Sequence, residues 1–175
     1  MNTIKASRLI ASTLVVFLFS MCGHAGNPNE HYVQLSSTET QPASAAINEA
    51  TFDDVNGISD LGSNKHNVTV HVDGIYFAML STQVGSVKQK DQASGFIDLW
   101  LNKEGVPVSF SNTRQSVQAG ETHVMVTQAI LSLKAGDTIS VGFSATNPTL
   151  GLISIPMKNK EPTITSVNFS MYKLS

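Results

Sequence analysis

Glu121-Thr122-His123-Val124-Met125-Val126-Thr127-Gln128-Ala129-Ile130-Leu131-Ser132-Leu133 is the longest periodic stretch of the chain. Val124, Val126, Gln128 and Ile130 fall on one side of its two-residue repeat, and Met125, Thr127, Ala129 and Leu131 on the other. That alternation is the period of an extended strand, not of a helix. Lys134-Ala135-Gly136-Asp137 then punctuates the chain, and Ile139, Val141 and Phe143 resume the same period. Strand, turn and strand follow one another without a helical signal.

The pattern extends in both directions. Upstream, Val68, Val70 and Val72 share a face before the turn pair Asp73-Gly74. Residues 74–80 are apolar on both faces, Ile75, Phe77 and Met79 against Tyr76, Ala78 and Leu80, which predicts a strand buried on both sides. Residues 95–102 set Phe96 and Trp100 against Ile97, Leu99 and Leu101, and Glu104-Gly105 forms the next turn. Val106, Val108 and Phe110 alternate with Pro107 and Ser109, and the proline marks an edge or strand start. Downstream, Asn147-Pro148 turns the chain, residues 152–155 form a short strand, and Val167, Phe169 and Met171 alternate in a closing strand. About ten short strands at this spacing predict an all-β protein, an antiparallel two-sheet jelly-roll sandwich.

Composition agrees. Of 175 residues only 14% are charged, Lys+Arg 11 against Asp+Glu 13, so no basic surface exists for nucleic acid. Ser, Thr, Asn and Gln take the polar positions, as suits pleated faces and turns. A single cysteine, Cys22, excludes an intramolecular disulfide.

The first residues read as an address. Lys5 and Arg8 precede an apolar run over residues 9–21, the two leading regions of a secretory signal. A transmembrane anchor is the competing reading, but the run is shorter than the roughly 20 residues needed to span a bilayer. Gly23-His24-Ala25 supplies small residues for cleavage, giving a signal peptide over 1–25. Phe19-Ser20-Met21-Cys22 is similar to a bacterial lipoprotein box, with Met21 and Phe19 departing from it; Cys22 is then either lipidated or discarded. Both routes place the chain outside the cytoplasm, secreted or at the cell surface, with no transmembrane segment in the mature chain. Residues 26–46 are polar and poor in apolar side chains, which predicts a flexible spacer, and residues 47–175 form the domain.

The order of landmarks resembles a known family. Thr69-Val70-His71-Val72-Asp73-Gly74-Ile75-Tyr76-Phe77 resembles the Gly-x-Tyr strand of complement component 1q globular heads and their tumour-necrosis-factor-like relatives. Residues 96–105, Phe-Ile-Asp-Leu-Trp-Leu-Asn-Lys-Glu-Gly, are similar to the family's hairpin strand; Leu133-Lys134-Ala135-Gly136-Asp137-Thr138-Ile139 resembles its Leu-x-x-Gly-Asp-x-Ile hairpin; residues 166–174 resemble its closing strand, and Thr51-Phe52-Asp53 its first. The resemblance implies a jelly-roll protomer that assembles as a compact homotrimer and binds ligands or receptors at exposed loops or inter-protomer grooves. The collagen-like stalk and the cysteines of the complement protein are missing.

Independently, Tyr76, Phe77, Phe96, Trp100, Phe110, Phe143 and Phe169 are too many aromatics for one small core. Tyr76, Phe77, Trp100, Phe143 and Phe169 are therefore candidates for either core or trimer interface.

Catalytic patterns are few. His66, His71 and His123 lack chelating spacing, and an odd offset places His66 and His71 on opposite faces. There is no Gly-x-Ser-x-Gly elbow, and the adjacent carboxylates Asp53-Asp54 point to opposite strand faces. Asp53, Asp54, Asp60, Asp73, Asp91, Asp98 and Asp137 are available for calcium should the fold cluster them, while Asp137 also suits turn capping. The 88–91 and 158–161 loops carry charge where such scaffolds build binding surfaces. Asn67-Val68-Thr69 and Asn168-Phe169-Ser170 match glycosylation acceptors, without meaning in a bacterial source. The expected protein is a non-catalytic, cofactor-free trimeric module recognising an extracellular protein or glycan. The alternatives are a structural surface or matrix component without a soluble ligand and, behind it, a metal-dependent cupin-like enzyme.

Overall fold

A computed structural model describes residues 32–44, 46–58, 61–88, 93–157 and 159–175. The periodic stretch is β11 (Thr122–Leu133), paired antiparallel along its whole length with β7 (Gly74–Ser86). The other side of β7 carries β14 (Val167–Lys173) and, further along, β13 (Leu150–Leu152). β1 (Tyr32–Ser37) lies between β14 and β4 (Asp54–Ile58), and β2 (Gln41–Pro42) pairs with β13.

The second sheet runs β10 (Thr113–Val117), β8 (Gly95–Lys103), β12 (Thr138–Ala145), β6 (Asn67–Val70) and β5 (Leu61–Ser63). Two-residue strands β3 (Asn48–Glu49) and β9 (Val106–Pro107) join β12 and β8. The result is two seven-stranded antiparallel sheets, a jelly-roll sandwich as the strand spacing predicts. The chain crosses between sheets from β2 to β3, β3 to β4, β4 to β5, β6 to β7, β7 to β8, β10 to β11, β11 to β12 and β12 to β13.

The core lies between the sheets and follows the alternation. Tyr76, Ala78, Leu80 and Val84 of β7 meet Ile97, Leu99, Leu101, Ile139, Val141 and Phe143 from the opposite layer, all buried. Each large side chain so enclosed contributes about 1.5–3 kcal/mol relative to exposure. The Tyr76 phenol is satisfied at 2.7 Å by the carbonyl of Val72, so its polar tip carries no desolvation penalty. Glu104 and Gly105, both at positive φ (52° and 73°), make the tight hairpin between β8 and β9.

Four expectations change. The spacer over 26–46 does not hold from Tyr32 onward: β1 is laddered on both sides and buries Val33 and Leu35. Its composition is polar because the alternate positions, Gln34 and Ser36, point away from the core. Thr51-Phe52-Asp53 is not the first strand; β1 is, and Phe52 is instead a buried loop residue whose ring centroid lies 6.4 Å from that of Phe169. β7 continues to Ser86 and is buried on one face only, with Met79 exposed. The alternation at Val106, Val108 and Phe110 yields only β9 and then a 3-10 turn, Ser109–Ser111, leaving Val106 and Phe110 exposed. Ser111 anchors that turn, its Oγ accepting from Leu101 N–H at 2.9 Å and donating to the Val108 carbonyl at 2.7 Å. The signal peptide over 1–25 and Cys22 lie outside the described residues, as do Asp60 and Asp91.

Candidate assembly face

Because β1, β14, β7 and β11 are neighbours in register, their outward positions line up in rows. Tyr32 faces Tyr172, Tyr172 faces Phe77, and Phe77 faces Ile130. The next rows read Gln34, Ser170, Met79, Gln128 and Ser36, Asn168, Ser81, Val126, followed by Gln83 beside Val124. None of these positions carries a charge, although Asp, Glu, Lys and Arg are frequent in the surrounding loops. Phe77 and Tyr172 are in tilted ring contact at 5.3 Å, a geometry that stiffens the centre of the row. Val124, Val126 and Ile130 are 57%, 52% and 61% exposed, values at odds with β-branched side chains meant for water.

β11 is also the end strand of its sheet. A twelve-residue edge strand without charge, proline or bulge is what soluble proteins avoid unless something covers it. One flank is partly protected by the 3-10 turn, where Thr127 Oγ1 donates to the Ser111 carbonyl at 2.6 Å. The apolar face itself has no such cover among the described residues.

The five aromatic candidates separate cleanly. Tyr76, Phe143 and Phe169 are core, each under 2% exposed. Phe77 belongs to the outward row. Trp100 is buried on the far side of the second sheet, where its indole lies over Gly142 so closely that a Cβ there would clash with Nε1. Trp100 Nε1–H donates to Asn102 Oδ1 at 2.8 Å, and Asn102 Nδ2 reaches Ser140 Oγ at 3.4 Å. On the same side Arg114 holds Asp98 through two 2.7 Å bonds and stacks over the exposed Phe96 ring at 5.5 Å. That hydrogen-bonded pairing with Asp98 raises the already high pKa of Arg114.

Reading single strands found Val124, Val126 and Ile130 as one face but could not connect them to Tyr32 and Tyr172. Tyr32 fell within the expected spacer, and Tyr172 joins the row only through the pairing of β14 with β7. The alternation Tyr32, Gln34, Ser36 around Val33 and Leu35 was the available signal.

Among the described residues no three His, Cys, Asp or Glu come together. Their carboxylates serve local structure. Asp53 accepts from Thr38 N–H at 3.0 Å and Oγ1–H at 2.6 Å, and Asp73 accepts from Ala135 N–H at 2.8 Å. Asp137 accepts from Lys134 N–H at 2.8 Å and pairs with Lys103 Nζ at 2.6 Å. The Lys103 hydrogen bond, then the Lys134 N–H, hold the Asp137 carboxyl below its ordinary range. His66 stands 4.0 Å from Glu49, His123 stands 3.0 Å from Glu121, and His71 is exposed. No described helix is long and apolar enough to cross a membrane.

The architecture defines the fold class, an antiparallel two-sheet jelly roll. Among solved structures, the chain is similar to the globular domain of zebrafish complement 1qA, with TM-score 0.57 and 16% identity, covering 83% of this chain and 98% of that one. It is likewise similar to murine APRIL, with TM-score 0.55 and 14% identity, covering 83% and 99%. No family model and no curated protein matches the sequence.

Proposed function

We propose that this chain is an exported, non-catalytic module that assembles as a homotrimer and binds a protein or glycan outside the cell. The uncharged outward face of β1, β14, β7 and β11 carries this reading. Apolar side chains displayed together on a regular sheet gain free energy only when a partner removes them from water. A second copy is the partner always present at the right concentration, and the complement 1q resemblance implies three copies around an axis. A face without charge also avoids the desolvation cost that buried, unpaired ions would impose at such an interface.

The leader over 1–25, followed by cleavage or by lipidation at Cys22, supports export. Among the described residues no three His, Cys, Asp or Glu are grouped, and the reading is accordingly one of binding. No resident cofactor enters the reading, and equilibrium dialysis against calcium would detect one. The decisive measurement is multi-angle light scattering on the chain as purified from exporting cells. A mass three times that of the protomer at low micromolar concentration is expected; a strict monomer would overturn the reading.

A further inference from the structure

At the far end of β7 the sandwich opens into a cleft of about 300 Å³, where the start of β11 and the segment after β13 converge on Ser86. Tyr32, where the described chain enters, sits in the row of Phe77. Ser86 lies further along the same strand by about 30 Å at some 3.3 Å per residue. The cleft therefore lies at the other end of β7 from the row that holds Tyr32. Val87, Ile153 and Pro156 give its lining an apolar part, Ser86 and Thr122 bring hydroxyls, and Glu121 is its one charged group among the described residues.

Local geometry holds this arrangement. At Gly85 a Cβ would stand 2.9 Å from Ile153 Cδ1 and 3.1 Å from the Glu121 carbonyl, so the two lining segments meet over a residue without a side chain. A turn through Gly120, at φ 80°, returns Glu121 N–H to the Gln118 carbonyl at 3.0 Å. Gln118 N–H then donates to Glu121 Oε2 at 3.3 Å, and His123 Nε2 lies 3.0 Å from the same oxygen. Both contacts fall on Oε2; among the described residues Oε1 accepts no hydrogen bond. A carboxylate held through one oxygen, with the other accepting no hydrogen bond among the described residues, in a cleft whose lining includes Val87, Ile153 and Pro156, is suited to a cation on an aliphatic stem.

We propose that this cleft takes a lysine or arginine side chain from a protein partner. Glu121 accepts the hydrogen bond of the ammonium or guanidinium, and Val87, Ile153 and Pro156 cover the stem. Among the described lining residues none is Lys or Arg and none is aromatic, so the charge of the lining is complementary to a cation. The described lining residues all belong to one protomer and none lies in the outward rows of β1, β14, β7 and β11, so this proposal and the trimer reading fail separately.

The test is amide NMR of the purified exported chain titrated with Nα-acetyl-lysine methylamide, its arginine counterpart, and the uncharged norleucine analogue. Saturable shifts at Gly120, Glu121, Thr122 and Ser154 are expected with the two cations and not with norleucine. Glu121→Gln, which preserves shape and the Gln118 contact, should weaken binding about tenfold or more at unchanged melting temperature. Absence of saturable shifts, an equal response to norleucine, or full affinity in Glu121→Gln overturns the proposal. Tighter binding of free 1,5-diaminopentane than of the lysine compound would assign the cleft to a free amine and overturn the protein-partner reading.

Discussion

Phe143 and Phe77 belong to the same residue type and sit on strands of the same period, yet they meet opposite surroundings. Phe143 is enclosed between the sheets, so Phe143→Ala should cost about 3–5 kcal/mol in chemical denaturation, the transfer and cavity terms together. Phe77 stands on the outward face beside Tyr172, and Phe77→Ala should cost the isolated protomer only about 1 kcal/mol, the scale of an aromatic pair, while weakening self-association much more. Asp137 gives a pH test. Its carboxyl is held low by Lys103 and the Lys134 N–H, so the folded state binds this proton less readily than the unfolded chain. The stabilisation is complete above the unfolded value of about 3.9 and is lost as pH falls through the lower folded value. Thermal melts of Asp137→Asn should show a lower midpoint at neutral pH and a shallower loss on acidification below about pH 4 than the parent.

At the scale of elements, β1 decides where the domain starts. It covers the flank of β14 and places Val33 and Leu35 in the core. A chain truncated to residues 47–175 exposes that flank, and Phe169 loses neighbours on β1. Circular dichroism should show no cooperative melt for this truncation, whereas a chain starting near residue 30 should melt cooperatively. The long strands were legible because a period of two over a dozen residues admits one reading, as in β11. β1 was not, because two inward residues among polar ones do not distinguish a half-buried strand from a spacer until two partners ladder it. Val106 and Phe110 misled for the opposite reason: three alternating apolar residues satisfied the pattern, but Ser111 hydrogen-bonded the backbone into a 3-10 turn.

For the whole molecule, the uncharged face predicts concentration-dependent stability, since a partner that binds only the folded state raises its melting point by mass action. Ile130→Glu places an ion on the β11 side of that face, on a side chain 61% exposed in the protomer. Light scattering should then give the protomer mass, and the melting temperature should become independent of concentration with the circular dichroism spectrum unchanged. An Ile130→Glu protein that keeps the parent's mass would remove this face from the interface.

Local sequence was enough for the long strands such as β11, their alternating positions and the turns that end them, because alternation and turn chemistry are local properties of the backbone. It also determined the low charge that leaves a sheet face free of ions. Tertiary structure alone decided which face of β7 and β11 is enclosed, that Tyr32, Tyr172, Phe77 and Ile130 form one row, and that Glu121 meets Ile153 across Gly85. Those facts depend on register between strands distant in the chain, and register is set by the packing of all the strands at once.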